Sequence, residues 1–219
     1  GPVVVDIPKD ITEDECEFDY PSEVFMRSYN PNIEINENAV DIAVDKILKS
    51  HKPVIYAGGG VINSNASKNL TDLAKYLNFP VTNTLMGLGC YPGDDPQFLQ
   101  MLGMHGSYEA NMAMHDCDLL IAIGARFDDR ITGRLDKFSP EATVIHIDVD
   151  PSSISKNIKA HIPIVGDVKG VIEKISNRII DKKLKPQNVD KWWDEINEWR
   201  KKDSFKYTQG DEVIKPQFV

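Results

Sequence analysis

Near its middle the 219-residue chain contains the stretch Asp118-Leu-Leu-Ile-Ala-Ile-Gly-Ala-Arg-Phe-Asp-Asp-Arg130. Five consecutive apolar residues, Leu119 to Ile123, predict a strand that is buried on both faces, as in a parallel sheet. Gly124 ends this strand, and Arg126 and three further charged residues follow at once. Ligands bind at the carboxyl ends of strands in open parallel sheets, where arginine can neutralise phosphate. A plain surface loop with salt bridges would contain the same charges, so the stretch alone leaves both interpretations open.

Segments of the same kind lie on both sides of this stretch. Further buried strands are predicted at residues 53–57, 79–83, 143–150 and 163–167. Apolar residues with helical spacing occur between them, at residues 40–48, 70–77, 108–114 and 168–175. Strands that alternate with helices at these distances predict an α/β fold, in which helices flank a doubly wound, mainly parallel sheet.

Charge and cysteine content argue against several classes of function. The formal net charge is −9, and eight acidic but only two basic residues lie between Pro8 and Asn36. Non-specific nucleic-acid binding needs a basic surface, so we expect no nucleic-acid partner. Three cysteines without a Cys-x-x-Cys pair argue against a disulfide framework or a zinc cluster and favour the cytoplasm or an organelle matrix. No signal peptide and no run of 18 apolar residues is present, so no membrane association is expected.

The chain divides into four predicted parts. Residues 1–8 are expected to be the last strand of a preceding domain, because the sequence starts within an apolar run and has no initiator Met. Residues 9–35 contain several prolines and predict an extended linker. Residues 36–181 form the central domain, and residues 182–219 are predicted to be a helical connector toward a following domain. Trp192, Ile196 and Trp199 form a stripe that packs either on this chain or against that following domain.

Four strand ends carry residue types that suit a nucleotide. Gly58-Gly-Gly60 can turn backbone N–H groups toward a phosphate, although position 63 is Asn and the Gly-x-Gly-x-x-Gly pattern is absent. Gly124-Ala-Arg126 adds a guanidinium, and Gly166-Asp167 provides another glycine turn. Asp148 and Asp150 could accept hydrogen bonds from ribose hydroxyls. One such turn is more often plain loop geometry, but four of them favour a large dinucleotide.

Other chemistry-bearing residues receive simpler interpretations. No nucleophile motif and no P-loop is present. His105 is interpreted as a loop residue that touches a ligand, His115 as structural, and His146 as a core or strand residue. Asp128 and Asp129 are flanked by arginines, so local ion pairs explain them better than a metal site. We therefore predict no metal ligands.

Several longer motifs together carry a resemblance. They are residues 1–10, Thr84-Leu-Met-Gly-Leu-Gly89, Leu102-Gly-Met-His-Gly106, Gly124-Ala-Arg-Phe-Asp-Asp-Arg130, His146-Ile-Asp-Val-Asp-Pro151 and Gly166-Asp-Val168. In this order they resemble the catalytic (large) subunit of the acetolactate synthase family, also called acetohydroxyacid synthase. The resemblance runs from residue 1 to about residue 175.

The resemblance implies a thiamine diphosphate-dependent transferase of branched-chain amino-acid biosynthesis. This family joins the hydroxyethyl unit of a decarboxylated pyruvate to a second pyruvate or to 2-oxobutyrate. Its subunits have three domains, and this chain is similar to the central, FAD-binding one. The family's activating glutamate lies in the preceding domain and its Mg²⁺-binding Gly-Asp-Gly motif in the following one. No catalytic residue is therefore expected in this segment, which alone is predicted to be inactive. A homo-oligomer, with a possible regulatory small subunit, is implied for the full-length enzyme.

The resemblance also assigns residues to the flavoprotein's cofactor. The implied FAD contacts are Gly58, Gly59, Gly60, Thr84, Leu85, Met86, Leu102, Gly103, Met104, His105, Gly124, Ala125, Arg126, Asp128, Asp148, Val149, Gly166, Asp167 and Val168. Asp129 and Arg130 are implied to approach the substrate channel. Two alternatives stay open at this point. The domain could bind ADP or no nucleotide, as in related thiamine enzymes, or it could be a non-catalytic interaction module.

Overall fold

A six-stranded sheet carries the larger part of the chain. The computed structural model describes residues 4–22 and 34–215 and divides the chain into two units, residues 1–32 and residues 33–219. In the second unit the strands are β1 (Pro53–Ala57), β2 (Val81–Asn83), β3 (Phe98–Met101), β4 (Leu119–Ile123), β5 (Thr143–Asp148) and β6 (Ile162–Val165). Its helices are α2 (Glu37–Lys49), α3 (Gly59–Asn63), α4 (Ser67–Leu77), α5 (Tyr108–Asp116), α6 (Asp129–Thr132), α7 (Val168–Ser176) and α8 (Asp190–Arg200).

All strand pairs are parallel, and the strand order is β3-β2-β1-β4-β5-β6. The predicted doubly wound α/β fold is therefore confirmed. In this order the chain leaves the sheet in opposite directions after β1 and β4, which are neighbours along five residue pairs. The loops that follow these two strands separate and leave a crevice at their carboxyl ends.

Burial explains why the central strands are so apolar. Every residue of β1 and of β4 is buried, because helices cover both faces of a parallel sheet. Asn36 caps the start of helix α2, because its side chain accepts a hydrogen bond from the Ala39 N–H. Helix α4 ends at Asn78, which adopts the left-handed conformation that closes many helices.

The tryptophan stripe packs on this chain. Trp192 is 1% exposed, and its Nε1–H donates to the Pro53 carbonyl at 3.0 Å. Its ring meets Trp199 edge-on at 5.5 Å. Helix α8 therefore belongs to the core of the second unit and is not only a connector. After Arg200, residues 201–215 contain no further helix.

Two predictions of secondary structure need correction, and a third stays a prediction. In the strand predicted for residues 1–8, residues 4–8 are exposed and without regular structure, and residues 1–3 lie outside the described residues, so its place in a preceding domain stays a prediction. The predicted linker contains a one-turn helix, α1 (Lys9–Thr12), while its residues 23–33 are also outside the description. Strand β3 was missed because it is a four-residue edge strand, in which Gln100 has a φ of 67°.

In the described ranges, every helix is too short or too polar to cross a lipid bilayer.

Candidate functional site

A cleft of about 790 Å³ opens at the carboxyl ends of β1, β2, β4 and β5. It lies at the crevice that the strand order creates, and its volume falls within the range of about 300–1,000 Å³ that is typical of ligand pockets. Its walls combine backbone turns, charged groups and apolar side chains. They are formed by Tyr56, Gly59, Gly60, Ile62, Asn63, Thr84, Leu85, Met86, Gly124, Ala125, Arg126, Asp128, Arg130, Ile131, Asp148, Val149, Asp150 and Ser153.

Two glycine turns meet at the base of this cleft. A Cβ atom on Gly58 would lie 2.2 Å from the Gly124 oxygen, and one on Gly60 would lie 2.6 Å from the Gly124 Cα. Gly124 also has a φ of +55°, which side chains other than glycine rarely adopt. These glycines are therefore required for the close approach of the two loops.

The N–H groups of the same glycines correct one sequence prediction. The Gly58 N–H donates to the Ile123 carbonyl at 2.9 Å, and the Gly60 N–H donates to the Gly124 carbonyl at 3.0 Å. These two N–H groups are thus used between the loops and do not face a phosphate. Of the three successive glycines, only Gly59 keeps an N–H without an acceptor among the described residues.

Positive charge lies on the loop after β4. Arg126 is exposed, and its guanidinium stands 3.4 Å from the Asp128 carboxylate. Such an exposed pair contributes little to stability and leaves the guanidinium available to a ligand. Arg130 lines the same cleft. The local ion pairing that was predicted for Asp128 and Asp129 is confirmed for Asp128, whereas Asp129 has no ion-pair partner among the described residues.

The loop after β5 supplies carboxylates. Asp148 is 9% exposed, and its Oδ1 accepts the Asp150 N–H at 2.9 Å, which leaves Oδ2 for a ligand. Asp150 accepts hydrogen bonds from the N–H and hydroxyl of Ser152 and from the hydroxyl of Ser153. The Ser152 bonds hold the pKa of Asp150 below its usual range. Both carboxylates can accept hydrogen bonds from hydroxyl donors, and the lowered pKa of Asp150 makes this carboxylate unsuited to transfer protons at neutral pH.

Exposed apolar side chains form another wall. Leu85 and Met86 are 67% and 75% exposed, and Val149 is 57% exposed. Thr84 fixes the turn that carries the first two, because its Oγ1 accepts the Gly87 N–H at 2.9 Å. Large apolar side chains exposed together in a concave site are typical of a surface that binds a ring system.

Several predicted residues lie outside this cleft. Gly58 lies beneath it. Leu102, Gly103, Met104 and His105 form a loop whose backbone contacts Arg130, since a Cβ on Gly103 would lie 2.9 Å from the Arg130 oxygen. Leu102 is buried. Asp129 does not line the cleft either; its carboxylate accepts the Arg130 N–H at 2.9 Å.

The turn after β6 also lies outside the cleft. A Cβ on Gly166 would lie 2.7 Å from the Ile35 side chain, so this glycine makes room for packing. Asp167 caps helix α7 by accepting the Gly170 N–H at 3.1 Å, and Val168 is buried. Each of these residues has a structural contact that explains it.

Sequence reasoning missed some residues of the walls. They are Tyr56, Ile62, Asn63, Ile131 and Ser153. Tyr56 belongs to an all-apolar strand, and Ile62 and Asn63 occupy the helix that starts at the glycines, so neither position carried a ligand signal. Ser153 could have been found from Asp150, because Asp-x-x-Ser is a common turn pattern.

Two side chains of the cleft, Asp150 and Tyr56, have pKa values that make them unsuited to proton transfer at neutral pH. Burial raises the pKa of Tyr56 well above its ordinary value, so its hydroxyl stays protonated. Within residues 4–22 and 34–215, no three His, Cys, Asp or Glu side chains come together in a way that could hold a metal ion. The described arrangement can bind and orient a ligand.

Fold and cleft define a class: a doubly wound α/β domain with a mixed polar and apolar cleft at its topological switch point. A family profile described as the central domain of thiamine pyrophosphate enzymes matches residues 40–175. The chain belongs to this family. The match covers every strand of the sheet and all the loops that line the cleft.

Curated relatives narrow the comparison. The chain is 48% identical to the acetolactate synthase large subunit of Haemophilus influenzae, over 100% of the chain and 39% of that relative. It is 46% identical to the isozyme 3 large subunit of Escherichia coli acetolactate synthase, over 100% of the chain and 39% of that subunit. It is 44% identical to the probable acetolactate synthase large subunit of Methanocaldococcus jannaschii, over 99% of the chain and 37% of that protein. The chain thus spans less than two fifths of the length of these relatives.

Proposed function

We propose that the cleft binds FAD and that the chain is the central domain of an acetolactate synthase large subunit. The observation that carries the proposal is the composition of the cleft walls. Arg126 suits the diphosphate, Asp148 suits a ribose hydroxyl, and the exposed Leu85 and Met86 suit an apolar ring. Identity of 46–48% to acetolactate synthase large subunits over the whole chain supports the same assignment.

The residues present fit this cofactor in charge as well as in shape. One wall carries two guanidinium groups and a free backbone N–H at Gly59, which match the charge of a diphosphate. Another carries the carboxylates of Asp148 and Asp150, which would repel an additional phosphate on the adenosine ribose. These two walls favour FAD or ADP over a 2′-phosphorylated nucleotide.

The loop of Leu102–His105 and the turn Gly166–Val168 also belong to the proposed FAD site, but they have different roles. The first lies beside Arg130 at one side of the cleft and is proposed to contact the flavin end. The second supports Asp148, because the Gly166 N–H donates to the Asp148 carbonyl at 3.0 Å. Asp129 and Arg130 are proposed to border the route of the substrate.

For the full-length protein we propose the reaction of the family. Two pyruvates, or pyruvate and 2-oxobutyrate, would condense with loss of carbon dioxide, with thiamine diphosphate and Mg²⁺ held outside this chain. The bound FAD would supply structure and not electrons, because forming acetolactate from two pyruvates involves no net oxidation or reduction. A homo-oligomer in the cytoplasm or an organelle matrix, with a regulatory small subunit, completes the proposal.

Flavin fluorescence gives a direct test. Titration of FAD into the purified full-length protein should change the fluorescence with saturation, and ADP should compete. Acetolactate should form from pyruvate when thiamine diphosphate, Mg²⁺ and FAD are added, while residues 1–219 alone should form none. Binding of ADP without any binding of FAD would instead indicate a related thiamine enzyme. Binding of neither nucleotide would favour an interaction module and would contradict the proposal.

A further inference from the structure

In the loop after β4 (residues 124–128), three consecutive carbonyl groups each accept a hydrogen bond from a side chain of a different part of the chain. His146 Nε2, on β5, lies 3.0 Å from the Ala125 oxygen. Asn157 Nδ2 donates to the Phe127 oxygen at 2.5 Å. Between them, the Tyr56 hydroxyl, on β1, donates to the Arg126 oxygen over a longer distance of 3.4 Å. We call His146, Asn157 and Tyr56 the carbonyl clamp.

The buried histidine shows how specific this arrangement is. His146 is 0% exposed, and its Nδ1 has no hydrogen-bond partner among the described residues. Burial lowers the pKa of His146, so the ring is neutral and has one N–H. A carbonyl can only accept, so this N–H must be on Nε2 and must donate to Ala125. The ring thus keeps one loop contact, and its other nitrogen stays unsatisfied at a cost in stability.

The clamp determines which polar groups of the loop are free. In a planar trans peptide, the N–H of the next residue points opposite to the C=O, and these peptide bonds are all trans. Each N–H of Arg126, Phe127 and Asp128 therefore points away from the clamp side chain that holds the carbonyl of its own peptide unit. None of them has an acceptor among the described residues. The loop thus has occupied carbonyls and free N–H groups, which is the polarity that favours a bound anion.

We propose that His146, Asn157 and Tyr56 are positioning residues that hold the Ala125–Phe127 carbonyls away from the ligand, so that the loop N–H groups and Arg126 act together on its diphosphate. This inference rests on the proposed FAD site and deepens it. Aromatic contacts support it, because the Phe127 ring packs edge-on against His146 at 5.2 Å and tilted against Tyr56 at 5.8 Å. Loop and clamp therefore pack as one unit.

A pair of substitutions at His146 separates positioning from folding. His146→Leu keeps the volume but removes the donor, whereas His146→Gln keeps an amide N–H close to the position of Nε2. In the full-length protein, the FAD dissociation constant from flavin fluorescence should rise about tenfold for His146→Leu and less than about threefold for His146→Gln. Thermal unfolding without FAD should stay within about 4 °C of wild type for both. A purely structural histidine would lower the unfolding temperature without this rescue of binding.

A double-mutant cycle tests whether the clamp acts through the arginine. If it does, His146→Leu should weaken FAD binding by clearly less in an Arg126→Gln background than in the wild type. Strict additivity of the two changes would overturn this part of the proposal. Asn157→Ala provides the same cycle at an exposed position, where the variant is expected to fold even if His146→Leu does not.

Two tyrosines provide a matched control. Tyr56→Phe and Tyr76→Phe each remove one hydroxyl that donates to a backbone carbonyl, and that of Tyr76 donates to Leu184 at 3.0 Å, outside the cleft walls. Tyr56→Phe should weaken FAD binding about two- to threefold, and Tyr76→Phe should leave it unchanged.

Equal FAD affinity in wild type, His146→Leu and Asn157→Ala would refute the clamp. If wild type binds ADP but not FAD, the same comparison with ADP, by calorimetry, tests the clamp after the FAD proposal has failed; binding of neither ligand overturns both.

Discussion

Gly124 and Gly166 both follow strands at the same edge of one sheet, yet they have different roles. Gly124 touches the turn after β1 and lines the cleft, with a positive φ and a neighbour 2.6 Å from its added Cβ. Gly166 faces the Ile35 side chain and precedes the cap of α7. The sequence around each is a strand, a glycine and a charged residue within two positions. A glycine at a strand end is therefore not by itself a ligand signal.

Topology explains the difference. Gly124 follows β4, which pairs with β1, and the chain leaves these neighbours in opposite directions. Gly166 follows β6, the edge strand on the other side of β5. Space for a ligand opens only where the connections diverge. The position of a strand in the sheet, which sequence alone does not give, thus decides what its terminal glycine does.

The largest expected effect comes from adding one methyl group at the Gly124 turn (the first turn) and at the Gly166 turn (the second turn). Gly124→Ala would combine an unfavourable φ with a backbone clash against Gly60, so we expect about 3 kcal/mol or more of lost stability and no measurable FAD binding. Gly166→Ala would clash with the Ile35 side chain, which can shift, and would make an ordinary contact with Val171, so it should cost about 1–2 kcal/mol with FAD affinity unchanged. Chemical denaturation and flavin titration measure both. Equal loss of FAD affinity in the two variants would contradict the distinction.

Next in size is the loss of charge beside the first turn. Arg126→Gln should weaken FAD binding about tenfold, because a guanidinium near a diphosphate gives a charge-assisted hydrogen bond. The variant should keep the wild-type unfolding temperature, since the side chain is exposed. Arg134→Gln is the matched control: Arg134 is also exposed and paired with an aspartate, but does not line the cleft. The loss should also shrink at high salt, which screens the charge.

A smaller effect is expected at the second turn. Asp167→Ala removes the cap of α7 and should lower the free energy of unfolding by about 1 kcal/mol. FAD affinity should not change, because Asp167 lies outside the cleft. Asp148→Asn, whose carboxylate lines the cleft, should show the opposite pattern of weaker FAD binding at nearly unchanged stability. Urea unfolding measures the stability of the two variants, and flavin titration measures their FAD affinity. Weaker FAD binding in Asp167→Ala, or unchanged FAD binding in Asp148→Asn, would contradict the prediction.

Much of this architecture is predictable from residue patterns. The apolar runs at β1 and β4 predicted these strands, because burial on both faces leaves a clear local signal in the sequence. Tyr56 and His146 were not predicted as parts of the site. Their signal depends on which backbone carbonyls they reach, and these lie 70 and 21 residues away in the chain. Strand order and such distant contacts are tertiary properties. Sequence patterns therefore placed residues at the correct edge of the sheet, but they did not separate the residues that line the cleft from those that support its loops.

The smallest expected effect concerns pH, and it applies to the first turn alone, because only that turn rests on a buried histidine. The pKa of His146 is lowered by burial, although the hydrogen bond to Ala125 and the charge of Asp148 act against this. As pH falls below about 6.5, the unfolded chain therefore binds a proton at this residue before the folded chain does. Stability should then decline with falling pH, by less than about 1.4 kcal/mol per pH unit, until the folded-state pKa is reached. His146→Gln should remove this part of the slope, whereas His105→Gln, at an exposed loop position, serves as the control. Urea unfolding should be followed between pH 7.5 and pH 5.5, about one unit on either side of the free histidine pKa. If the free energy of unfolding of His146→Gln changed with pH as steeply as that of wild type, the ring would not be held neutral beneath Ala125. The Gly124 turn would then be supported independently of pH, like the Gly166 turn.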